Sequence, residues 1–252
     1  MLRTVQATRY VTPLREGGSL PAIVEADDLG LYVLKFRGAG QGPLALVAEL
    51  VAGEIGRALG LRVPEVVLIE VDAALGRNEP DQEIRELLLA SVGTNLALDY
   101  LPGSMMFDPA ARVSVDPRIA SEAVWFDGFI TNIDRTARNP NLLWWHKSLW
   151  FIDHGASLYF HHDWRDIEPK AGTPFAAIRE HVLLPWANAL DEVDRVLRSR
   201  LSESLFREIL DQVPENWLIA GSRDGYVDFL SRRLDAAASF VEEAQRARAA
   251  LV

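Results

Sequence analysis

The apolar residues of this chain recur mainly with a strand-like period over its first hundred positions, residues 44–59 and 82–90 apart, and mainly with a helix-like period from about position 118 onward. That single change of period restricts the architectures open to it. Residues 5–14, 20–25 and 31–36 are short runs rich in β-branched and aromatic side chains. They are separated by Arg-Glu-Gly-Gly-Ser at 15–19 and Asp-Asp-Leu-Gly at 27–30, both turn signals. A Gly-rich break at 37–43 leads into residues 44–59, whose apolar spacing is helical and which end on Gly60, a natural C-cap. Strand-like runs follow at 63–71 and 96–101, around a polar stretch that contains a surface helix at Gln82–Ala90. Helical patterns then cover 118–131, 175–183, Leu190–Arg198, 203–213 and 225–249. The expectation is an α+β chain of two lobes facing a cleft. A small β-rich lobe with one main helix would span 1–101 and a mainly helical lobe 102–252, with a hinge near 100–103.

The polar residues that interrupt these patterns fall at chemically suggestive places. Asp134 follows the largely apolar residues 126–133, as an acid emerging from the end of a buried helix would. Asn139 stands five positions later and Asn141 seven. Residues 148–152 (S-L-W-F-I) read as a buried strand ending on Asp153, with Gly155 two residues beyond. Phosphoryl transfer needs one carboxylate to orient a nucleophile, and an amide oxygen with a second carboxylate to hold magnesium. Asp134, Asn139 and Asp153 match those needs in type and order. The competing reading is a polar turn in which Asp and Asn cap helices and satisfy backbone amides.

Two unusual charges lie upstream. Lys35 is flanked by apolar residues in Tyr32-Val33-Leu34-Lys35-Phe36, where alternation places it on one face with Val33. An ammonium there is costly unless it has partners. Glu49 is an acid within an apolar helical stretch fourteen residues on. Glu54 competes with it as a partner for Lys35, but Glu49 has the more apolar surroundings. One hairpin before Lys35, consecutive Gly17 and Gly18 allow backbone amides to approach phosphate oxygens closely, and Ser19 adds a hydroxyl.

At these residues the chain resembles the HipA-like kinases, distant relatives of the protein and phosphoinositide kinases. N-I-D-R-T-A-R-N at 132–139 is similar to an N-x-D-R-x-x-x-N catalytic loop, and F-I-D-H-G at 151–155 to a metal-binding I-D-x-G segment. Residues 49–65, containing L-G-L-R-V-P, are similar to the family's helix and its exit. The resemblance implies a two-lobed protein kinase-like fold with ATP and Mg²⁺ as cofactors. It makes Lys35 the phosphate-contacting lysine with Glu49 as partner, Asp134 the catalytic base, and Asn139 and Asp153 the metal ligands. Gly17, Gly18 and Ser19 would lie over the nucleotide, and the hinge backbone at Asp99, Tyr100 and Leu101 would hold the adenine. The histidine that usually follows D-R is Thr136 here, which removes one loop-stabilising group. The chain begins close to its first strand, so the expectation is that the toxin-type N-terminal subdomain is missing, and a toxin role is not among the expectations taken from the resemblance.

The expected activity is therefore transfer of a γ-phosphoryl group to a hydroxyl on a protein (Ser/Thr) or small-molecule acceptor. The alternative from a different class is a kinase-like nucleotide-binding module that acts as a sensor or scaffold. A metal-dependent hydrolase ranks last, because no H-x-H or H-E-x-x-H spacing supports it. His161-His162-Asp163 is set aside as a metal triplet for want of further ligands. A net charge of −10, spread along the chain, argues against nucleic acid or anionic membrane as a partner. Cysteine is absent, so disulfides and thiolate chemistry are excluded. No apolar run approaches the length of a membrane span and the N-terminus lacks a signal-peptide core, so cytoplasmic residence is expected.

Overall fold

The computed structural model describes residues 1–14, 20–77, 79–111 and 114–251. The turn carrying Gly17, Gly18 and Ser19 lies outside the described residues. Strands β1 (Thr4–Pro13), β2 (Ala22–Ala26) and β3 (Leu31–Lys35) run as an antiparallel meander into helix α1 (Gly42–Ala58). Then come β4 (Val66–Val71), the surface helix α2 (Gln82–Ala90) and β5 (Gly93–Asp99). The five strands close into a barrel in the order β1-β2-β3-β5-β4, sealed by a short parallel pairing of Thr4, Val5 and Gln6 with Leu68, Ile69 and Glu70. Closure removes the open sheet edges that would invite aggregation.

Helix α1 has Pro43 in its first turn, where a missing N–H costs nothing, and stops at Gly60, whose φ of +86° suits glycine. It is buried along most of its length, from Leu46 to Ile55. Its apolar side chains join one continuous core with Trp125, Phe126 and Phe129, while the barrel interior is filled by a second cluster around Val24, Leu34 and Val67. Helix α1 therefore packs on both parts of the molecule. That burial is why a charge in its middle needs partners.

The C-terminal part begins with β6 (Met105–Met106) and α3 (Pro117–Phe129), capped by Asp116 accepting from the amides of Arg118 and Ile119. A hairpin of β7 (Leu142–Trp145) and β8 (Ser148–Phe151) follows, with β6 along its edge. His146 and Lys147 both take positive φ in its two-residue turn, as a type I′ connection requires. Helices α4 (Ile167–Gly172), α5 (Leu190–Arg198), α6 (Glu203–Leu210), α7 (Arg223–Asp235) and α8 (Ala237–Ala249) complete the part. Gly128 lets Phe240 of α8 approach α3, since a Cβ there would come within 2.9 Å of its ring.

Two expected helices differ. The pattern at 225–249 is interrupted at Ala236, where the backbone opens between α7 and α8. The pattern at 175–183 forms only a short 3₁₀ turn, Ala176–Glu180, and then extends so that His181 pairs with Thr136. The hydrogen bonds this extended segment gives to the loop after α3 replace those a longer helix would make. No helix among the described residues is long and apolar enough to cross a membrane.

Candidate active site

Lys35 ends β3 with its side chain largely buried, and its alternation with Val33 holds: both line one cavity. Its Nζ lies 2.6 Å from Asp153 Oδ1 and 3.9 Å from Glu49 Oε2. Burial pushes the ammonium pKa down, but the two carboxylates outweigh it, so Lys35 titrates above the ordinary lysine value. Glu49 shows the reverse balance. Burial would raise its pKa, yet Lys35 and His154 hold it down at about 2. The other candidate, Glu54, pairs with Arg57 instead.

His154 engages both oxygens of Glu49. Its backbone N–H donates to Oε2 at 2.8 Å and its Nδ1 lies 3.4 Å from Oε1. An ionised carboxylate can only accept, so Nδ1 carries the proton. The imidazole is fully buried with its edge against Phe126. The segment 153–155 thus ties helix α1 to the end of β8, and Asp153 makes the turn at a φ of +56°.

Asp134 is reached by a sharp departure from α3. Thr131 takes a φ of +54°, and the Asn132 amide donates back to the Asp127 carbonyl. Asp134 Oδ2 accepts from Asn139 Nδ2 at 2.7 Å and from Asn141 Nδ2 at 3.3 Å. Spending the Asn139 NH₂ on Asp134 leaves its amide oxygen as the free end. Partial burial raises the Asp134 pKa, and nearby Asp153 adds to this against the stabilising amides of Asn141 and Asn139.

Beneath this loop lies a network that sequence reasoning missed. Asp127 is fully buried and accepts from Arg135 Nε at 2.5 Å, Asn132 Nδ2 at 3.0 Å and His181 Nε2 at 2.8 Å. Burial opposes its ionisation, but Arg135 and His181 hold its pKa far below the usual carboxylate range. Arg135 also donates to the carbonyls of Asn141 and Ile152, joining the loop to the segment before Asp153. The available signal was Asp127 itself, an acid amid the apolar residues of α3. The group expected to be missing at Thr136 has a counterpart, because His181 reaches the same loop from 45 residues downstream.

The strand, loop and hinge residues converge on a cavity of about 480 Å³. Ligand pockets commonly measure roughly 300–1,000 Å³. Val33 and Leu98 line it from the barrel, and Met106, Leu143 and Ile152 from the other part. Asp99, Tyr100 and Leu101 line it at the connection, and Lys35, Asn139, Asn141 and Asp153 form its polar end. Burial, and then repulsion from Glu65, raise the Asp99 pKa. The Tyr100 amide is already committed to the Leu31 carbonyl at 2.9 Å.

A family model described as HipA-like kinase matches residues 8–243. The chain belongs to the HipA-like kinase family. Among solved structures, this HipA-like kinase resembles the Helicobacter pylori proinflammatory kinase CtkA, with a TM-score of 0.57 at 14% identity over 100% of this chain and 99% of that one. It also resembles a Golgi casein kinase with Mn/ADP bound, with a TM-score of 0.54 at 12% identity over 100% and 75% of the two chains. A second Golgi casein kinase structure matches with a TM-score of 0.52 at 11% identity, over 97% and 72%. At such identities the likeness establishes a protein kinase-like fold and nothing finer. No curated protein matches the chain.

Proposed function

We propose that this HipA-like kinase is an ATP- and Mg²⁺-dependent phosphotransferase that acts on a hydroxyl of a protein (Ser/Thr) or small-molecule acceptor. One observation carries the reading. Lys35, Asn139 and Asp153 come from separate parts of the chain to one end of an apolar-walled cavity, with Asp134 hydrogen-bonded to the same asparagine. The apolar walls suit a purine ring, and the backbone at Asp99 and Leu101 supplies a polar edge for it. Lys35 neutralises phosphate charge, with Glu49 behind it to keep the ammonium protonated. Asp134 orients the acceptor hydroxyl and takes its proton as the acceptor oxygen bonds to the γ-phosphorus and the bond from that phosphorus to the departing ADP oxygen breaks.

The donor set fits magnesium. Among the described residues no group of three or more His, Asp or Glu could hold a metal ion. Asn139 and Asp153 instead offer one amide oxygen and one carboxylate, and Mg²⁺ usually takes only one or two protein ligands beside phosphate oxygens and water. Bound by these two residues, the ion supplies positive charge against the phosphate oxygens. The Mn/ADP bound in one Golgi casein kinase structure supports nucleotide and divalent metal as ligands.

The test is ATP turnover and autophosphorylation by purified protein with Mg²⁺, beside Asp134→Ala and Asp153→Ala. Transfer that disappears in both variants supports the reading, and equal turnover in all three proteins removes it. Saturable Mg-ATP binding without transfer to any of a broad acceptor panel would point to the sensor or scaffold alternative.

A further inference from the structure

We propose that His181 is a positioning residue for Asp134, acting through the buried carboxylate of Asp127. The inference rests on the reading of Asp134 as the group that orients the acceptor. The His181 side chain is almost fully buried, and both of its ring nitrogens are committed. Nδ1 accepts the Leu183 amide at 3.1 Å, which puts the proton on Nε2 and makes that atom the donor to Asp127 Oδ2 at 2.8 Å. Asp127 in turn accepts from Asn132 Nδ2 through its other oxygen, and Asn132 Oδ1 accepts the Asp134 amide at 3.0 Å. Three hydrogen bonds therefore run from the imidazole to the backbone of Asp134.

The backbone reinforces the same connection. His181 pairs with Thr136, and the Val182 amide donates to the Arg135 carbonyl at 3.0 Å. The segment after the 3₁₀ turn is thus stitched to the loop at its backbone and locked to it at its side chain. Arg135 neutralises Asp127 but grips it unevenly: its Nε lies 2.5 Å from Oδ2, whereas its second nitrogen is 3.5 Å from Oδ1, a loose arm that leaves the carboxylate orientation to the other donors. The imidazole is the second donor on Oδ2 beside Arg135, and the two together hold that oxygen so that Oδ1 faces Asn132. A buried carboxylate without that donor would rotate to recover a partner, and Asn132 and Asp134 would turn with it. The relay ends on the Asp134 amide and is separate from the bonds joining Lys35, Glu49 and His154.

Three measurements on the full chain test this. In Mg-ATP turnover, His181→Phe should lower the rate constant on the order of 10- to 100-fold, the usual cost of a catalytic group displaced by about 1 Å. Its calorimetric affinity for a non-hydrolysable ATP analogue with Mg²⁺ should match wild type. His181→Gln, which places a donor where Nε2 stands, should recover most of the rate. Hydrogen exchange read at the Asn132 and Asp134 amides should quicken in His181→Phe and return toward wild type in His181→Gln. Unchanged exchange in His181→Phe would overturn the proposal, whatever the protein's activity. So would a wild-type turnover rate in that variant, or a loss of analogue affinity in step with rate. Wild-type protein lacking Asp134-dependent transfer would instead defeat the functional reading, while the exchange measurement would still decide whether His181 holds the loop.

Discussion

The two halves of the site are built in opposite ways. The Asp134 half is local: Asp127, Asn132, Asp134, Arg135, Asn139 and Asn141 lie within fifteen residues and hydrogen-bond among themselves. The Lys35 half is assembled from afar, since Lys35, Glu49 and Asp153 meet across sequence separations of up to 118. The local half is held mainly by directed hydrogen bonds around one buried ion pair. The distant half is held by unlike charges: Lys35 and Glu49 are buried and each favours the charged form of the other against burial, while the part-exposed Asp153 lies 2.6 Å from the same ammonium. The comparison teaches that geometry at Asp134 and charge at Lys35 should fail separately.

The largest expected effect comes from the local half. Asp134→Asn keeps the size and shape of the side chain but cannot take a proton, and should cost about 10²- to 10⁴-fold in turnover. Nucleotide-analogue affinity should change little. A matching loss of affinity would show that the two halves are not separable.

Asp127→Ala leaves the Arg135 guanidinium buried without its carboxylate, and should destabilise the fold by about 3–5 kcal/mol in denaturant unfolding. Because the folded pKa of Asp127 is depressed, its contribution is fully present above its unfolded value of about 3.9 and fades as pH falls below that. The stability gap between wild type and Asp127→Asn should therefore be wide at neutral pH and narrow in acid. A gap constant across that range would contradict the assignment of Asp127 as a charged partner.

The distant half gives the next effect. Lys35→Met should weaken Mg-nucleotide binding by about tenfold or more, the equivalent of roughly 1.4 kcal/mol or more of lost charge-assisted interaction. It should leave the protection of the Asp134 loop in hydrogen exchange intact. Loosening of that loop would mean that the lysine supports both halves.

The smallest effect is steric. Val33→Phe places a ring in the apolar end of the cavity and should weaken adenine-nucleotide binding several-fold, with inorganic triphosphate unaffected. Equal losses for the two ligands would move the base away from Val33 and Leu98.

Much of the local half was legible in the sequence. A loop of eight residues leaves few ways for Asp134 to miss Asn139, and an acid after an apolar helix is visible without coordinates. The Val33 and Lys35 face also followed from period-two alternation alone. Asp127 and His181 escaped notice because each has an ordinary explanation in its own neighbourhood. An acid within a helix and a histidine after an expected helix acquire meaning only when the chain brings them to 2.8 Å. The expected helix at 175–183 failed for the same reason, since its amides and carbonyls found partners on a distant loop.

By itself the sequence determined the order of the five barrel strands and of helices α1 and α2 among them, the polar loop and the alternating face of β3, because these depend on dihedral preference and on residues a few positions apart. The tertiary structure alone decided that Lys35 sits nearer Asp153 than Glu49, that His154 holds Glu49, and that His181 supports the loop. Those choices depend on burial: a charge or polar group removed from water takes whatever partner packing brings within reach, and spacing along the chain does not record that partner.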